Sequence, residues 1–330
     1  MIVSFNCINE QQPDEKWVGL FEKTWPFYKK WFLSEGMTAR QGYLTSSSKL
    51  EQYMPEIFPI YEKLTSLAGG GDLESRFLSM YCPPPYMSGC SQLAWTKSSV
   101  ALMRNYDYNP KMFEGVMLYS NWLKPVIGIS DCTWGLLDGM NADGLAVSLT
   151  FGGSKKMGTG FGIPVILRYA LETCSTVKEA QAVFCRIPVH MAYNVSMVDP
   201  AGHYSTMYLT PNQPARIVDT HVGTNHQGEI VWNEYAELTE TVKRKEFIEE
   251  HYANEDETVD SMLRKFLKPP LYSLKFEKSF GTLYTVNYNS SNRTVHVMWP
   301  TKTLNQSFEN FVEEKVLVNL KLNVHSKLSM

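Results

Sequence analysis

The hydrophobic pattern divides the chain near residue 90 into a helical first part and a strand-rich second part. Aromatic residues recur every three to four positions in DEKWVGLFEKTWPFYKKWF, which predicts an amphipathic helix. The segment SSKLEQYMPEIFPIYEKLTSLAGGG begins with serines and ends at three glycines, and its two prolines predict an interrupted helix. DLESRFLSMY predicts one more short helix. We therefore expect residues from about 14 to 80 to be helical.

After residue 90, short apolar segments that are typical of strands alternate with pairs of helices. The predicted strands are CSQLAW, SVALMRNYDY, MFEGVMLYS, PVIGISDC, LAVSLTF, both halves of YNVSMVDPAGHYSTMYLT and both halves of TLYTVNYNSSNRTVHVMWP. The predicted helices are IPVILRYALETC, STVKEAQAVFCRI, LTETVKRKEFIEEHY and ETVDSMLRKFL. Antiparallel hairpins that alternate with helical pairs favour an α+β layered sandwich over a doubly wound parallel sheet.

Composition and charge exclude several classes of function. The chain has 330 residues, of which 44% are hydrophobic and 20% charged, as in ordinary globular proteins. A net charge of -3 offers no clustered basic face, so we expect no nucleic-acid partner. No apolar run reaches about 18 residues, so we expect no membrane span. The N-terminus lacks the basic and apolar regions of a secretory signal, which predicts a cytoplasmic protein.

Neither a metal nor a cofactor is indicated by a motif. No histidine pair has the spacing of HExxH, and the six cysteines contain no CxxC pair. The glycine-rich segment GGSKKMGTGFGIP lacks the third glycine of the dinucleotide fingerprint. We therefore expect free thiols, no metal and no cofactor.

Cys90 differs from the other cysteines because it follows Gly89 at the start of a predicted hairpin. A thiol attacks an amide carbonyl if a base removes its proton and donors stabilise the oxyanion. The base can be the α-amino group of the nucleophile itself, whose ordinary pKa is about 7.7–8.0. That solution requires Cys90 to become the first residue of a cleaved chain. Gly89 suits the cleaved position because it has no side chain to obstruct the thiol.

Two charged residues on the returning strand of this hairpin extend the hypothesis. Asp107 could hold the α-ammonium group, and Arg104 could lower the thiol pKa or steer a carboxylated substrate. The plainer alternatives are a buried inert cysteine and a surface ion pair. A further alternative is a Cys–His hydrolase that uses His226, or a His226 that only packs beside the pocket.

Several motifs occur together in one order along the chain. They are LEQYMPEIFPIYEKLTSLAGGGDLE, GCSQLAW, RNYDY, DGMNADGLAVSLTF, GFGIPVILRYALETCSTVKEA, VGTNHQ, KRKEF and GTLYTVNYNSSNRTVHVMWP. In this order they resemble the N-terminal-nucleophile (Ntn) hydrolases of the penicillin acyl-coenzyme A:6-aminopenicillanic acid acyltransferase group, with the choloylglycine hydrolases as more distant relatives. The resemblance implies a four-layer αββα sandwich. It also implies a helical pro-segment at residues 1–89, a small subunit if cleaved, and a catalytic domain at residues 90–330.

The resemblance also implies the roles of individual residues. Cys90 would be the nucleophile, freed by self-cleavage after Gly89, with Asp107 holding its α-amine. The oxyanion would lie between the side-chain amide of Asn225 and the backbone N–H of Thr150. The relatives usually carry Asn at the position of Thr150.

Three residues are expected to contact the substrate, namely Arg104, Arg244 and His226. Arg104 follows the pattern of the choloylglycine hydrolases, whereas the penicillin acyltransferase has an amide side chain at this position. The family often places an arginine in the helix after the Asn motif; Arg244 is the candidate, and Lys243 or Lys245 is the alternative.

The sequence thus predicts an autoprocessing cysteine amidohydrolase or acyltransferase. Its partner would be a small molecule, a linear acyl amide or an acyl thioester, and a homo-oligomer is possible. Hydrolysis is slightly favoured over acyl transfer, since most such folds hydrolyse. A non-processing pseudoenzyme or small-ligand binding protein of the same fold is the alternative from another class.

Overall fold

Four helices occupy most of the first 80 residues, as the sequence predicts. The computed structural model describes residues 1–278 and 280–320, so the predicted catalytic segment extends beyond the described residues at 279 and 321–330. The helices are α1 (Glu15–Phe32), α2 (Tyr43–Tyr53), α3 (Phe58–Leu67) and α4 (Asp72–Leu78). A short 3-10 turn at Pro55–Ile57 separates α2 from α3, as the prolines predict.

The first residues of the chain form a strand, β1 (Ile2–Asn9), which the sequence analysis did not predict in front of the helices of the pro-segment. β1 pairs in parallel with β4 (Val116–Asn121) and antiparallel with β16 (Lys315–Asn319). Phe5 and Cys7 alternate with more exposed positions and are buried. Because both partner strands lie more than 100 residues away, no local hairpin signal marks β1 in the sequence.

A nine-stranded sheet contains β1 and most strands of the chain's middle. Its spatial order is β10-β9-β8-β7-β6-β5-β4-β1-β16. The remaining strands of this sheet are β5 (Pro125–Asp131), β6 (Gly135–Asn141), β7 (Ala146–Phe151), β8 (Tyr193–Val198), β9 (Tyr204–Leu209) and β10 (Arg216–Val218).

A seven-stranded sheet carries the predicted nucleophile. Its order is β11-β2-β3-β13-β14-β15, and β12 pairs with β13 off this path. The strands are β2 (Gly89–Trp95), β3 (Ala101–Tyr108), β11 (Val222–Gly223), β12 (Leu274–Lys275), β13 (Phe280–Asn289), β14 (Thr294–Trp299) and β15 (Lys302–Ser307).

Three buried clusters define four layers. One cluster lies between the two sheets and includes Phe5, Cys90 and Val286. A second joins the outer face of the nine-stranded sheet to α1–α4, α5 (Ile163–Thr173) and α6 (Val177–Arg186). The third joins the outer face of the seven-stranded sheet to α8 (Thr241–Ala253) and α9 (Val259–Phe266). This αββα arrangement confirms the predicted fold class.

The described helices include none that could cross a bilayer, because no stretch of the required length is apolar enough.

Candidate active site

Strand order places Cys90 between two chain segments that carry the other predicted residues. β2 pairs with β3 on one side, with Cys90 opposite Tyr106 and Gly89 opposite Asp107. On the other side β2 pairs with β11, which ends two residues before Asn225. The backbone N–H of Cys90 donates to Asn225 Oδ1 at 2.9 Å. The structure therefore brings the motifs GCSQ, RNYDY and GTNHQ together at the start of β2.

The Cys90 thiol is fully buried between the sheets and lies against a positive charge. Arg104 Nη2 donates to Cys90 Sγ at 3.2 Å, and the Ser88 hydroxyl lies 3.6 Å from the same sulfur. Burial raises the pKa of the Cys90 thiol, and the Arg104 guanidinium opposes that rise. Arg104 is thus placed to favour the thiolate.

Arg104 is held by two residues that the sequence analysis did not identify, and a third supports one of them. Its Nη1 forms a close buried ion pair with Asp138 Oδ2 and donates to the Tyr284 hydroxyl at 3.0 Å. Tyr284 and Tyr288 donate to the two oxygens of Asp138 at 2.6 and 2.5 Å. The four-residue spacing of the tyrosines on β13 places both on one face, which is a signal that the sequence does contain.

Asp107 and Arg104 lie on opposite faces of β3, because an odd separation of three residues reverses the side-chain direction. Asp107 Oδ2 forms a buried ion pair with Arg244 of α8, and its Oδ1 accepts from Thr282 Oγ1 at 2.5 Å. Arg244 Nε also donates to the Pro270 carbonyl at 3.1 Å. The alternative of a surface ion pair between Asp107 and Arg104 is therefore wrong, because both are buried and have separate partners.

The lysines beside Arg244 point away from this site. Lys243 pairs with Glu240 and its side chain is 66% exposed. Lys245 pairs with Glu249. Arg244 is therefore the basic residue of this helix that reaches Asp107.

Asn225 connects the nucleophile to the preceding residues and to the opposite sheet. Its Nδ2 donates to the carbonyl of Ser88 and to the carbonyl of Phe151, both at 3.1 Å. Its backbone N–H donates to Thr241 Oγ1 at 2.7 Å. These contacts fix the amide orientation, because Oδ1 accepts from the Cys90 N–H while both partners of Nδ2 among the described residues are carbonyls.

Thr150, the other predicted oxyanion residue, lies on β7, the strand of the opposite sheet that faces β2. The two strands are in direct contact, since Ser148 Oγ of β7 donates to Gln92 Oε1 of β2 at 2.6 Å. The Thr150 hydroxyl donates to the Thr224 carbonyl at 2.8 Å, next to Asn225. Thr150 therefore contacts the segment that carries the site's amide.

His226 lies near the site with its ring directed to threonines. Its Nδ1 lies 2.8 Å from Thr241 Oγ1 and 3.3 Å from Thr224 Oγ1. Partial burial lowers the pKa of the ring. Within the described part of the chain, no hydrogen bond joins this ring to Cys90. The geometry of a Cys–His pair is therefore not present here.

Gly89 has a steric requirement that the sequence does not reveal. A Cβ at this position would lie 1.7 Å from Cζ of the Phe280 ring. Any larger residue at 89 must therefore displace a buried aromatic ring, so the packing requires glycine directly before Cys90.

No group of three or more His, Cys, Asp or Glu side chains within residues 1–278 and 280–320 is arranged to hold a metal ion.

Comparison with solved structures finds similar chains at low identity. A mutant of the conjugated bile acid hydrolase from Clostridium perfringens is 14% identical, with 72% of this chain and 99% of that chain covered and a TM-score of 0.47. Penicillin V acylase from Agrobacterium tumefaciens is 14% identical, with coverage of 68% and 90% and a TM-score of 0.44. The N-acylethanolamine-hydrolyzing acid amidase ortholog from Caenorhabditis elegans is 14% identical, with coverage of 61% and 93% and a TM-score of 0.46. No curated protein sequence matches this chain.

A family model gives the stronger result. The model of the acyl-coenzyme A:6-aminopenicillanic acid acyl-transferase family matches residues 95–303, which is more than half of the chain. The matched range contains Arg104, Asp107, Thr150, Asn225 and Arg244, and it begins shortly after Cys90. The resemblance noted in the sequence is thereby confirmed: this chain belongs to the acyl-coenzyme A:6-aminopenicillanic acid acyl-transferase family of Ntn hydrolases.

Proposed function

We propose that this protein is an amidohydrolase or acyltransferase that acts through an acyl-enzyme on Cys90, after its own chain is cleaved between Gly89 and Cys90. Its family consists of Ntn amidohydrolases and acyltransferases. One observation carries the finer proposal: the Cys90 thiol contacts Arg104 while the N–H of the same residue is held by Asn225, directly after Gly89. The nucleophile and its future amine are thus both anchored.

The proposed self-cleavage uses this thiol. The Cys90 thiol loses its proton as its sulfur attacks the Gly89 carbonyl carbon, and the Cys90 nitrogen gains a proton as the C–N bond breaks. A thioester to Gly89 and a free amine on Cys90 then replace the peptide bond. Water then hydrolyses the thioester, which leaves a carboxylate on Gly89 and a free thiol and amine on Cys90. Arg104 supports the first step because its charge favours the thiolate.

Turnover uses the newly formed amine as the base. The α-amino group of Cys90 accepts the thiol proton, and the thiolate attacks the carbonyl of a linear amide or thioester. The oxyanion lies between the side-chain amide of Asn225 and the backbone N–H of Thr150. The leaving group departs with the proton, and water or an amine then takes the acyl group. Asp107, which is paired with Arg244, holds the α-ammonium form, and Arg104 contacts the substrate.

The cleaved pro-segment, residues 1–89, is proposed to remain bound as a small subunit. β1 lies between β4 and β16 within the nine-stranded sheet. Helix α1 adds buried aromatic residues such as Trp17 and Phe21 to the core that covers this sheet. Departure of the segment would expose this surface and leave β4 and β16 without their shared neighbour.

An intact-mass spectrum under denaturing conditions tests the proposal first. The wild-type chain should give two fragments, 1–89 and 90–330, the larger starting at Cys90. Cys90→Ala should give one uncleaved species without activity, and Cys185→Ala should behave as the wild type because Cys185 is exposed. A cleaved Cys90→Ala protein would contradict the mechanism. An uncleaved, inactive wild type would favour the binding-protein alternative.

A further inference from the structure

Two side chains converge on a single backbone oxygen beside Cys90. The Tyr235 hydroxyl donates to the Ser88 carbonyl at 2.8 Å, and Asn225 Nδ2 donates to the same oxygen at 3.1 Å. Two donors on one carbonyl oxygen are the arrangement that stabilises an oxyanion. This oxygen belongs to residues 1–89, which self-cleavage separates from Cys90.

The hydrogens of the Asn225 amide decide where an oxyanion can bind. Nδ2 carries two hydrogens, and one of them is donated to the carbonyl of Phe151, within β7. That bond does not involve the pro-segment. The other hydrogen points to the Ser88 oxygen. Once Ser88 moves away, an oxyanion bound by Asn225 therefore takes the position that the Ser88 oxygen now occupies, and Tyr235 reaches this position as well.

The packing around Tyr235 fixes its hydroxyl at this position. It lies on α7 (Asn233–Thr239) and is only 8% exposed. Its ring stacks on Trp232 with centroids 4.7 Å apart and meets Phe151 edge-on at 5.2 Å. Burial raises the pKa of the phenol well above its usual value, so the hydroxyl stays protonated as a donor.

We propose that Tyr235 is a catalytic residue that donates a hydrogen bond to the substrate oxyanion together with Asn225. The inference rests on the proposed function, because it needs an acyl-enzyme at Cys90. It adds a side-chain donor from α7 to the two donors that the sequence indicates. It further implies that the uncleaved chain is inactive towards substrate, since the Ser88 carbonyl fills the oxyanion position.

Tyr235→Phe tests this role because it removes the hydroxyl and keeps the ring packing. The control is Tyr193→Phe, since Tyr193 is a buried tyrosine whose hydroxyl has no hydrogen-bond partner in the described part of the chain. Both variants are produced as full chains and are incubated until mass spectrometry shows that cleavage is complete. Turnover of N-octanoyl-p-nitroaniline, a linear acyl amide, and of S-octanoyl-N-acetylcysteamine, an acyl thioester, is then measured for the wild type and both variants, with the cleaved fraction known.

Loss of an oxyanion donor typically costs about 10²–10³-fold in kcat. We expect Tyr235→Phe to lower kcat by about 10²-fold with little change in KM, and Tyr193→Phe to change neither. An unchanged kcat in Tyr235→Phe, or a loss confined to KM, would overturn the inference while leaving the proposed function in place. A wild type that is cleaved but turns over neither the amide nor the thioester would overturn the proposed function, and the inference with it.

Discussion

Asp107 and Arg244 form a buried ion pair that joins β3 to α8, on the face of the sheet opposite the Cys90 thiol. Asp107 also lies directly across from Gly89 in the β2–β3 ladder. The pair therefore supports the strand from which the new N-terminus would emerge. Because both groups are removed from water, loss of either one would leave a buried charge without its partner.

Removal of Arg244 should destabilise the protein strongly. Arg244→Leu leaves the Asp107 carboxylate buried without its cation, and breaking a buried pair in this way costs about 3–5 kcal/mol. Lys243→Leu is the matched control on the same helix, and it should change the free energy of unfolding by less than about 1 kcal/mol because Lys243 is exposed. Urea unfolding of all three proteins measures the difference. Equal losses in the two variants would show that the pair has no special role.

A side chain at position 89 should slow self-cleavage through Phe280. Gly89→Ala places a methyl group within 1.7 Å of the ring, so the strand or the ring must shift beside the reacting thiol. A displacement of about 1 Å at a reacting centre can cost about 10²-fold in rate. We expect cleavage to be at least about tenfold slower. The measurement is the rate at which the large fragment appears in mass spectra.

A second substitution separates this steric effect from a need for backbone freedom. Phe280→Leu removes the ring atoms that meet the new methyl group, so Gly89→Ala/Phe280→Leu should recover part of the lost rate. Gly19→Ala, where a Cβ meets nothing within 4 Å, should cleave as the wild type does. If the double variant is as slow as Gly89→Ala, the clash with Phe280 is not the cause.

The cleaved pro-segment should elute together with the large fragment under native conditions. Phe5 of β1 is fully buried between the sheets and packs edge-on against Trp299 at 5.4 Å. Phe5→Ala should weaken the association by about 3–5 kcal/mol, the usual cost of Phe→Ala in a core. Ile2→Ala is the control on the same strand, because Ile2 is 68% exposed. Size-exclusion chromatography at increasing urea concentrations measures when the pro-segment separates from the large fragment. If the two wild-type fragments separate without denaturant, the proposal is contradicted.

A buried carboxyl pair should make stability fall as the pH rises. Glu114 Oε1 and Asp131 Oδ1 lie 2.6 and 3.2 Å from the Tyr28 hydroxyl of α1. Burial, and then the Glu114 charge, raise the pKa of Asp131 to about 7. Between about pH 4 and pH 7 the folded state therefore binds more protons than the unfolded state, so stability declines over this window.

Asp131→Asn should remove most of this pH dependence. One pKa unit corresponds to about 1.4 kcal/mol, so we expect the wild type to lose roughly 1–4 kcal/mol more than the variant between pH 4.5 and pH 8. Asp256→Asn, at an exposed position, should follow the wild type. Urea unfolding at the two pH values gives the comparison. A wild type whose stability rises over this range, relative to Asp131→Asn, would show that the sign is wrong.

The sequence by itself predicted most helices and the main strands after residue 90 in their observed order, and it indicated Cys90 as the candidate nucleophile. The period of two along RNYDY already places Arg104 and Asp107 on opposite faces of their strand. The glycine before Cys90 and the order of motifs indicated the family. These features depend on neighbouring residues or on the order of motifs along the chain. They can therefore be inferred without knowing which distant segments pack together.

Only the tertiary structure decided which groups meet. Asp138 reaches Arg104 from the opposite sheet, and Tyr235 reaches the Ser88 carbonyl from a helix far along the chain. β1 joins the nine-stranded sheet between two strands that are remote in sequence. Strand periodicity specifies the face on which a side chain lies, but it contains no information about which strand or helix packs against that face. That choice depends on the packing of complementary surfaces from distant parts of the chain.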